Sequence, residues 1–332
     1  MRIGLAIAVF AAVCGVVLGS FYPFGRAQAQ DAVANYPSSP IKIVVPYPAG
    51  SIPDTLGRMI GEHLQTQLGK PVVIENRAGA STLLGAKVVA NAEPDGYTLL
   101  IPTVTTLSIA PRINAKAGID PVKDFTPLAR LGGTNFFLVV RSSFPAKTMR
   151  EWIDEVKRNP GKYRYASAGI GTPHHIFMEL LKKQFDLDIT HVPYKGSVEA
   201  MPDLLSGRTD MAFLDGSQAV SHINSGELRA LGTSMAKQTN LVEGVPPIAA
   251  TVPGFDWSGW ILLAGPRGMP KNVVDLIAAQ VAQLQATPRF AVVLRDALME
   301  TMPPLSPDQA AVFVHDEYQR WKPVIELSGA IE

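Results

Sequence analysis

The stretch Ile41-Lys42-Ile43-Val44-Val45 is short, β-branched and apolar, which reads as a strand buried in a parallel sheet. Residues 46–53 then break the pattern with three prolines and a glycine. Leu56, Ile60, Leu64 and Leu68 follow four apart and define one apolar helical face. Pro53 suits the first helical turn, where a missing N–H costs nothing, and Ser51 or Ile52 falls at or near the cap. The first N–H groups of such a helix lack an intrahelical acceptor and point into the crevice beyond the carboxyl end of the strand. The turn is therefore either an anion site or an ordinary connection between strand and helix.

The same alternation runs to the end of the chain. Strands are predicted at 72–75, 98–101, 136–140, 163–166, 189–192, 210–214, 228–232 and 260–264. Helices are predicted at 83–90, 149–158, 173–185, 198–205, 218–224, 272–285, 288–297 and 307–326. Strands separated by helical patterns mean an α/β fold with mostly parallel sheets. With 332 residues, 47% apolar and 18% charged, the chain is globular and long enough for two lobes of ordinary domain size. Thr287-Pro288 and Ser306-Pro307 are cap-plus-proline pairs, and Ser306 with Gln309 makes a capping box. Thr172-Pro173 is a third such pair, preceded by Gly169-Ile170-Gly171, and Pro53 after Gly50-Ser51 is a looser fourth. Two helices in different halves thus start after a glycine-bearing loop that follows a strand. In two facing lobes their N-termini can grip one ligand from opposite sides.

Residues 1–29 have another character. Met1-Arg2 is a short positive start, 3–18 is an apolar run, and Ala27-Gln28-Ala29 has the small-x-small form of a cleavage site, so a signal peptide cut before Gln30 is expected. A run of 16 apolar residues is marginal for a membrane span. The one cysteine, Cys14, lies inside that leader, so the mature chain has none. An exported chain of this size without disulfides suits a bacterial periplasm, with stability drawn from a large core. Removing Arg2 and Arg26 takes the balance from 30 basic against 29 acidic residues to 28 against 29. No basic cluster stands out, which argues against nucleic acid or an anionic membrane surface as a partner.

Several segments carry a resemblance. Pro37-Ser38-x-Pro40-Ile41-x-Ile43-Val44-Val45-Pro46 is followed by Pro71-Val72-Val73-x-Glu75-Asn76-Arg77-x-Gly79-Ala80 and Pro94-Asp95-Gly96-Tyr97-Thr98-Leu99-Leu100. Later come Asp120-Pro121-Val122-Lys123-Asp124-Phe125, Tyr165-Ala166-Ser167-x-Gly169-x-Gly171-Thr172 and His191-Val192-Pro193-Tyr194-Lys195-Gly196-Ser197. This ordered set resembles the substrate-binding receptors of tripartite tricarboxylate transporters, the Bug family, over essentially all of the mature chain. The resemblance implies an α/β receptor of the type II periplasmic-binding-protein fold, two Rossmann-like lobes with a ligand cleft between them. It implies a monomer that closes over a small carboxylate, uses no cofactor, and delivers its ligand to one large and one small integral membrane subunit. Two chain crossings between lobes are expected near 141–144 and 255–260, giving lobe 1 as 36–142 plus 259–332 and lobe 2 as 143–258.

Carried onto this sequence, the family's ligand contacts fall on Tyr47, Pro48, Ala49, Gly50 and Ser51, with Asp54, in the first loop. Thr103, Thr105 and Thr106 follow after the third strand. The second lobe contributes Ser167, Gly169, Gly171 and Thr172 with His174, then Tyr194, and Asp215. The implied grip is mainly through backbone N–H groups, and the physics is consistent with that. Charge-assisted hydrogen bonds are worth about 1.5–3 kcal/mol each, and a partly buried helix N-terminus adds up to about 2 kcal/mol.

The sequence also departs from the family pattern. The first loop reads Ala49-Gly50-Ser51-Ile52-Pro53 where two adjacent glycines are usual. Val104 and Leu107 stand where Asn and His are frequent, Pro173-His174-His175 replaces a serine-rich stretch, and Gly216 replaces an Asn. The expected pocket is accordingly more apolar, suited to an aromatic or long-chain acid before citrate. His174 and His175, adjacent on a helix, point about 100° apart and do not make a metal pair. Neither Ser167 nor Ser217 sits in a G-x-S-x-G elbow, so nucleophilic catalysis lacks its motif. Asp215 either fixes an amino or hydroxyl group of a ligand or caps the helix near Ser217, and Tyr194 either stacks on a ligand or packs. A binding protein for an ATP-driven importer and an exported hydrolase are the competing classes.

Overall fold

The computed structural model describes residues 35–329. The chain divides into two units, Met1–Tyr36 and Pro37–Glu332. The first unit, with the signal peptide read in 1–29, lies almost wholly outside the described residues, and the fold below is that of the second.

The chain opens with β1 (Ile41–Val45), α1 (Ile52–Leu68), β2 (Val72–Asn76), α2 (Leu83–Ala90), β3 (Thr98–Leu100), the short α3 (Ala110–Ile113) and β4 (Phe125–Thr134). It continues with β5 (Phe136–Arg141), α4 (Met149–Arg158), β6 (Tyr163–Ser167), α5 (Pro173–Phe185), β7 (Ile189–Pro193), α6 (Ser197–Ser206), β8 (Met211–Asp215), α7 (Gly216–Asn224) and β9 (Leu228–Thr233). It ends with β10 (Gly259–Pro266), α8 (Lys271–Gln285), α9 (Pro288–Asp296) and α10 (Pro307–Leu327). Two five-stranded sheets result, ordered β2-β1-β3-β10-β4 and β7-β6-β8-β5-β9. In each, three parallel strands are followed by one antiparallel strand: β10, which returns after the second sheet's strands, in the first, and β5, which opens the second sheet's run of strands, in the second. That shared plan makes the molecule a two-lobed α/β binding-protein fold.

Local chemistry explains the elements. In β1, Ile43, Val44 and Val45 are fully buried, because helices cover both faces of a parallel sheet. On α1, Leu56, Ile60 and Leu64 are fully buried along the predicted stripe. Ser306 and Gln309 form the reciprocal capping box at the start of α10, and Thr287 accepts from Phe290 N–H at the start of α9. Thr172 occupies the N-cap of α5, but its hydroxyl turns back to Gly169 O at 2.7 Å.

Two features depart from the sequence reading. The strand β4 is not among the predicted strands; it holds Pro127 and Gly132-Gly133 and lies at the sheet edge beside β10, where proline is tolerated. The first crossing was expected near 141–144, with 136–140 kept beside the first sheet. Instead β4 ends at Thr134 and β5, starting at Phe136, pairs with β8 and β9, so Asn135 alone makes the step. An apolar run announces a buried strand but not which sheet buries it.

The two crossings are tied together. Asn135 is fully buried, and its Oδ1 accepts from Ser234 Oγ at 3.3 Å and Met235 N at 3.2 Å. Ser234 in turn receives Phe136 N–H on its hydroxyl and Trp257 N–H on its carbonyl. One apolar cluster runs through both sheets, from Val44 and Leu100 to Phe177, Phe213 and Trp321.

Candidate functional site

A cleft of about 290 Å³ lies beyond the carboxyl ends of β1, β3 and β8, the place where ligands bind in open α/β sheets. The first sheet's side supplies Tyr47, Ile52, Pro53, Thr82, Thr103, Val104 and Thr105. The second supplies Thr172, Pro173, His174 and Asp215, and the crossing segments add Thr134, Phe136, Gly259, Trp260 and Ile261. Neither lysine nor arginine is among these lining residues.

On the first side the polar centre is a knot of hydroxyls. Tyr47 OH and Thr103 Oγ1 are 2.7 Å apart, Thr105 N–H donates to Thr103 Oγ1, and Thr103 N–H donates to Thr106 Oγ1. Burial pushes the Tyr47 phenol up, more than hydrogen bonds with Thr103, Thr105 and Thr106 draw it down, so the ring keeps its proton and can donate. The chain at Thr105–Ile109 makes a single π turn, a distortion frequent at functional sites. Thr82 closes this side: it follows Ala80 and Ser81 in a run of three positive-φ residues (φ 47°, 51° and 78°), and its buried Oγ1 has no partner. Three non-glycine residues held that way store strain, which clusters at ligand sites.

Asp54 does not face the cleft. It is buried at the start of α1, where it accepts from Gly50 N–H at 2.8 Å, Arg58 Nε at 3.0 Å and Asn76 Nδ2 at 2.9 Å. Burial alone would raise its pKa, but those hydrogen bonds outweigh it and the carboxyl sits below its usual range. Its role is to brace the loop. Gly50, at φ +82°, gives its N–H to Asp54, and Ser51 gives its own to Pro48 O, so neither is offered to a ligand. Pro48 and Ala49 are exposed and, with Gly50 and Ser51, are not among the lining residues.

The second loop is similarly self-contained. Gly169 N–H goes to Ser167 Oγ, Gly171 N–H to His175 Nδ1, and Thr172 N–H to Gly169 O. Ser167 Oγ also meets His191 Nε2 at 2.7 Å, and His191 lies stacked between Tyr165 and His175 at 4.6 and 4.5 Å. Gly171 approaches the other side so closely that a side chain on it would run into Ile113 of α3. Tyr194 stays away from the cleft; its OH donates to Asp203 at 2.7 Å. Of the second-side residues read from sequence, Thr172, His174 and Asp215 line the cavity, while Ser167, Gly169, Gly171 and Tyr194 hold the loops that carry them.

His174 and Asp215 form the second polar centre. His174 Nε2 is 3.8 Å from Asp215 Oδ2, too long for a hydrogen bond, and neither ring nitrogen of His174 has a partner although its side chain is only 12% exposed. Ser217 Oγ donates to Asp215 Oδ1, leaving Oδ2 toward the histidine. Burial would raise the Asp215 pKa, but His174 and Ser217 lower it more. Asp215 stands at the N-cap position of α7 but makes no side-chain cap hydrogen bond there, and it lines the cavity.

Sequence reasoning missed Thr82, Thr134, Phe136, Gly259 and Ile261. Four of these flank the crossings, so a correct placement of the first crossing at Asn135 would have pointed to Thr134 and Phe136. Trp260, at the start of the strand predicted over 260–264, is both core and cleft wall.

The histidine stack gives a pH expectation. Burial, then the neighbouring His175, lowers the His191 pKa from 6.5 to about 4; Glu179 opposes this and Lys182 adds to it. Burial lowers His175 as well. The folded state thus binds fewer protons than the unfolded one between pH 6.5 and 4, so stability falls as pH drops through that window. Thermal unfolding from pH 7 to 4 should show this loss, at most about 3 kcal/mol for His191, and His191→Gln should flatten it. An unchanged slope would remove the stack from the acid response.

Two similar lobes, a cavity at the carboxyl ends of their strands, and two helix N-terminal turns facing it define a solute-binding protein. The chain belongs to the tripartite tricarboxylate transporter family receptors, whose family model matches residues 56–330. Protein BugT of Bordetella pertussis is 32% identical over 321 residues, 95% of this chain and 97% of BugT. A Rhodopseudomonas palustris protein solved with adipate has a TM-score of 0.77 at 30% identity, covering 89% of this chain and 98% of that one. MatC of the same organism, solved with bound malate, has a TM-score of 0.74 at 31% identity, covering 87% and 100%.

Proposed function

We propose that this chain is an exported, monomeric receptor that closes its two lobes over the carboxylate of a small organic acid and hands it to a large and a small integral membrane subunit. The leader at 1–29, removed before Gln30, would take it to the periplasm. The observation that carries the reading is a cleft lined from both sheets by hydroxyls and first-turn helix residues, with no cation of its own. Such a cavity suits an anion through neutral dipoles. The Tyr47–Thr103–Thr105 hydroxyls and the first-turn N–H groups of α1 and α5 supply the donors; Pro53 and Pro173 contribute none, which leaves Ile52, Asp54 and His174. Neutral donors also spare the empty site a buried, unpaired charge.

Closure follows from where the donors stand. A ligand bonded to one lobe gains the other set only when the lobes approach, so it favours the closed state by its difference in affinity for the two. The step from β4 to β5 at Asn135 and the segment 234–258 are the connectors about which this occurs. No bond is made or broken. The cleft offers no nucleophile paired with a base: Ser167 is buried against His191, behind the loop.

Calorimetric titration with mono- and dicarboxylates and their amides tests this. At least one acid should bind one to one, its amide should bind at least about a hundredfold more weakly for the loss of two charge-assisted hydrogen bonds, and the acid should be recovered unchanged. Equal affinity for the amide, or turnover of the acid, would overturn the proposal.

A further inference from the structure

The lining residues set limits on what lies between the two polar centres. Tyr47, Thr103 and Thr105 stand on the first sheet's side and His174 with Asp215 on the second, while Ile52, Pro53, Val104, Phe136, Trp260 and Ile261 make the walls apolar. A second carboxylate on the ligand would find no lysine or arginine lining the cavity and would approach the Asp215 carboxylate. A like charge in a confined site is repelled and drives one partner to protonate. A ligand with a wholly apolar far end fares only a little better, since it leaves His174 Nδ1 and His174 Nε2 buried without partners. Each such group costs about 1–3 kcal/mol.

The 3.8 Å separation of His174 Nε2 from Asp215 Oδ2 admits one further atom within hydrogen-bond distance of both. A hydroxyl fits that gap in particular, because it donates its proton to the carboxylate while its oxygen accepts from the imidazole Nε2–H. Two aromatic rings, Phe136 and Trp260, line the cavity, and Phe136 meets His174 in a T-shaped contact with ring centroids 5.3 Å apart. A flat body stacks between such walls at low entropic cost.

We infer that the cleft selects an aromatic monocarboxylate bearing one hydroxyl, its carboxylate on the Tyr47–Thr103–Thr105 side with Thr82 and its hydroxyl between His174 and Asp215. The inference rests on the receptor reading above and narrows its ligand class. It makes the Asp215 carboxylate a filter against di- and tricarboxylic acids.

A matched series tests it: 4-hydroxyphenylacetate, phenylacetate and 4-carboxyphenylacetate, titrated calorimetrically into the protein, with 4-hydroxybenzyl alcohol, adipate and malate alongside. The hydroxy acid should bind at least about tenfold more tightly than phenylacetate, and phenylacetate at least about tenfold more tightly than the diacid. In Asp215→Asn the diacid should gain at least about tenfold while the hydroxy acid loses affinity. A diacid that binds as tightly as the hydroxy acid overturns the inference and leaves the receptor reading intact. So does binding of adipate or malate with none of the three aromatic acids. If the benzyl alcohol binds as tightly as the hydroxy acid, the carboxylate reading itself falls.

Discussion

Asp54→Ala should lower the unfolding free energy by about 3 kcal/mol, within the range for removing one partner of a buried charged network, and should weaken ligand binding with it. The size follows from what the carboxylate holds. Arg58 is 56% exposed, so its ion pair with Asp54 contributes little by itself. Gly50 N–H and Asn76 Nδ2 are the costly partners, because both lose their acceptor in a part-buried setting. Asn76 also holds Tyr47 O at 3.0 Å, so the damage reaches the tyrosine that anchors the hydroxyl knot. Arg58→Ala is the control and should cost no more than about 1 kcal/mol. The pH dependence has a definite sign. The Asp54 pKa is lowered on folding, so its contribution is fully present above the unfolded value near 4 and is lost as pH falls through the folded value. Urea titrations of wild type and Asp54→Ala should therefore begin to draw together as pH falls below about 4. A variant that loses binding with no loss of stability would make Asp54 a ligand contact after all.

Asp54 also shows where the sequence stopped being legible. An acid in the first turn after a glycine-bearing loop looks the same whether it faces a ligand or turns back on its own loop; only the positions of Gly50 and Asn76 decide. The same holds for the backbone donors. Gly50, Gly169 and Gly171 were carried over from the resemblance as ligand contacts, yet their N–H groups are taken up inside the loops by Asp54, Ser167 and His175. Periodicity and capping chemistry are local, and they located β1, α1, α5 and α10 closely. Partners that lie far apart in sequence, such as Asn135 with Ser234 or Trp260 with Glu317, leave no local trace. The edge strand β4 was hidden for a different reason: its proline and glycines obey the rules of an edge, and nothing in the pattern said that an edge was there.

Trp321→Ala should be the most damaging single substitution at the lobe junction, costing about 3–5 kcal/mol as large aromatic truncations in a closed core do. Trp321 is fully buried on α10, and its ring meets Trp257 at 5.2 Å and Phe177 of α5 at 5.7 Å. Its indole N–H donates to Glu317, the same carboxylate that receives Trp260 Nε1 from the cleft wall at 2.9 Å. Removing the ring opens a cavity between elements of both sheets and loosens the hold on Glu317 at once. The consequence for function runs along α5. Phe177 packs edge-on against Phe136, and Phe136 against His174, so the junction and the cleft share one aromatic chain. Trp321→Phe keeps one ring but loses the rest of the indole with its N–H, and should cost less than the alanine variant, about 2 kcal/mol. Denaturation of both variants, paired with ligand titration at a temperature where each is folded, separates the effects. Lowered stability with wild-type affinity would confine Trp321 to the core, whereas a parallel fall in affinity would mean that the packing behind α5 sets the geometry of its N-terminal turn.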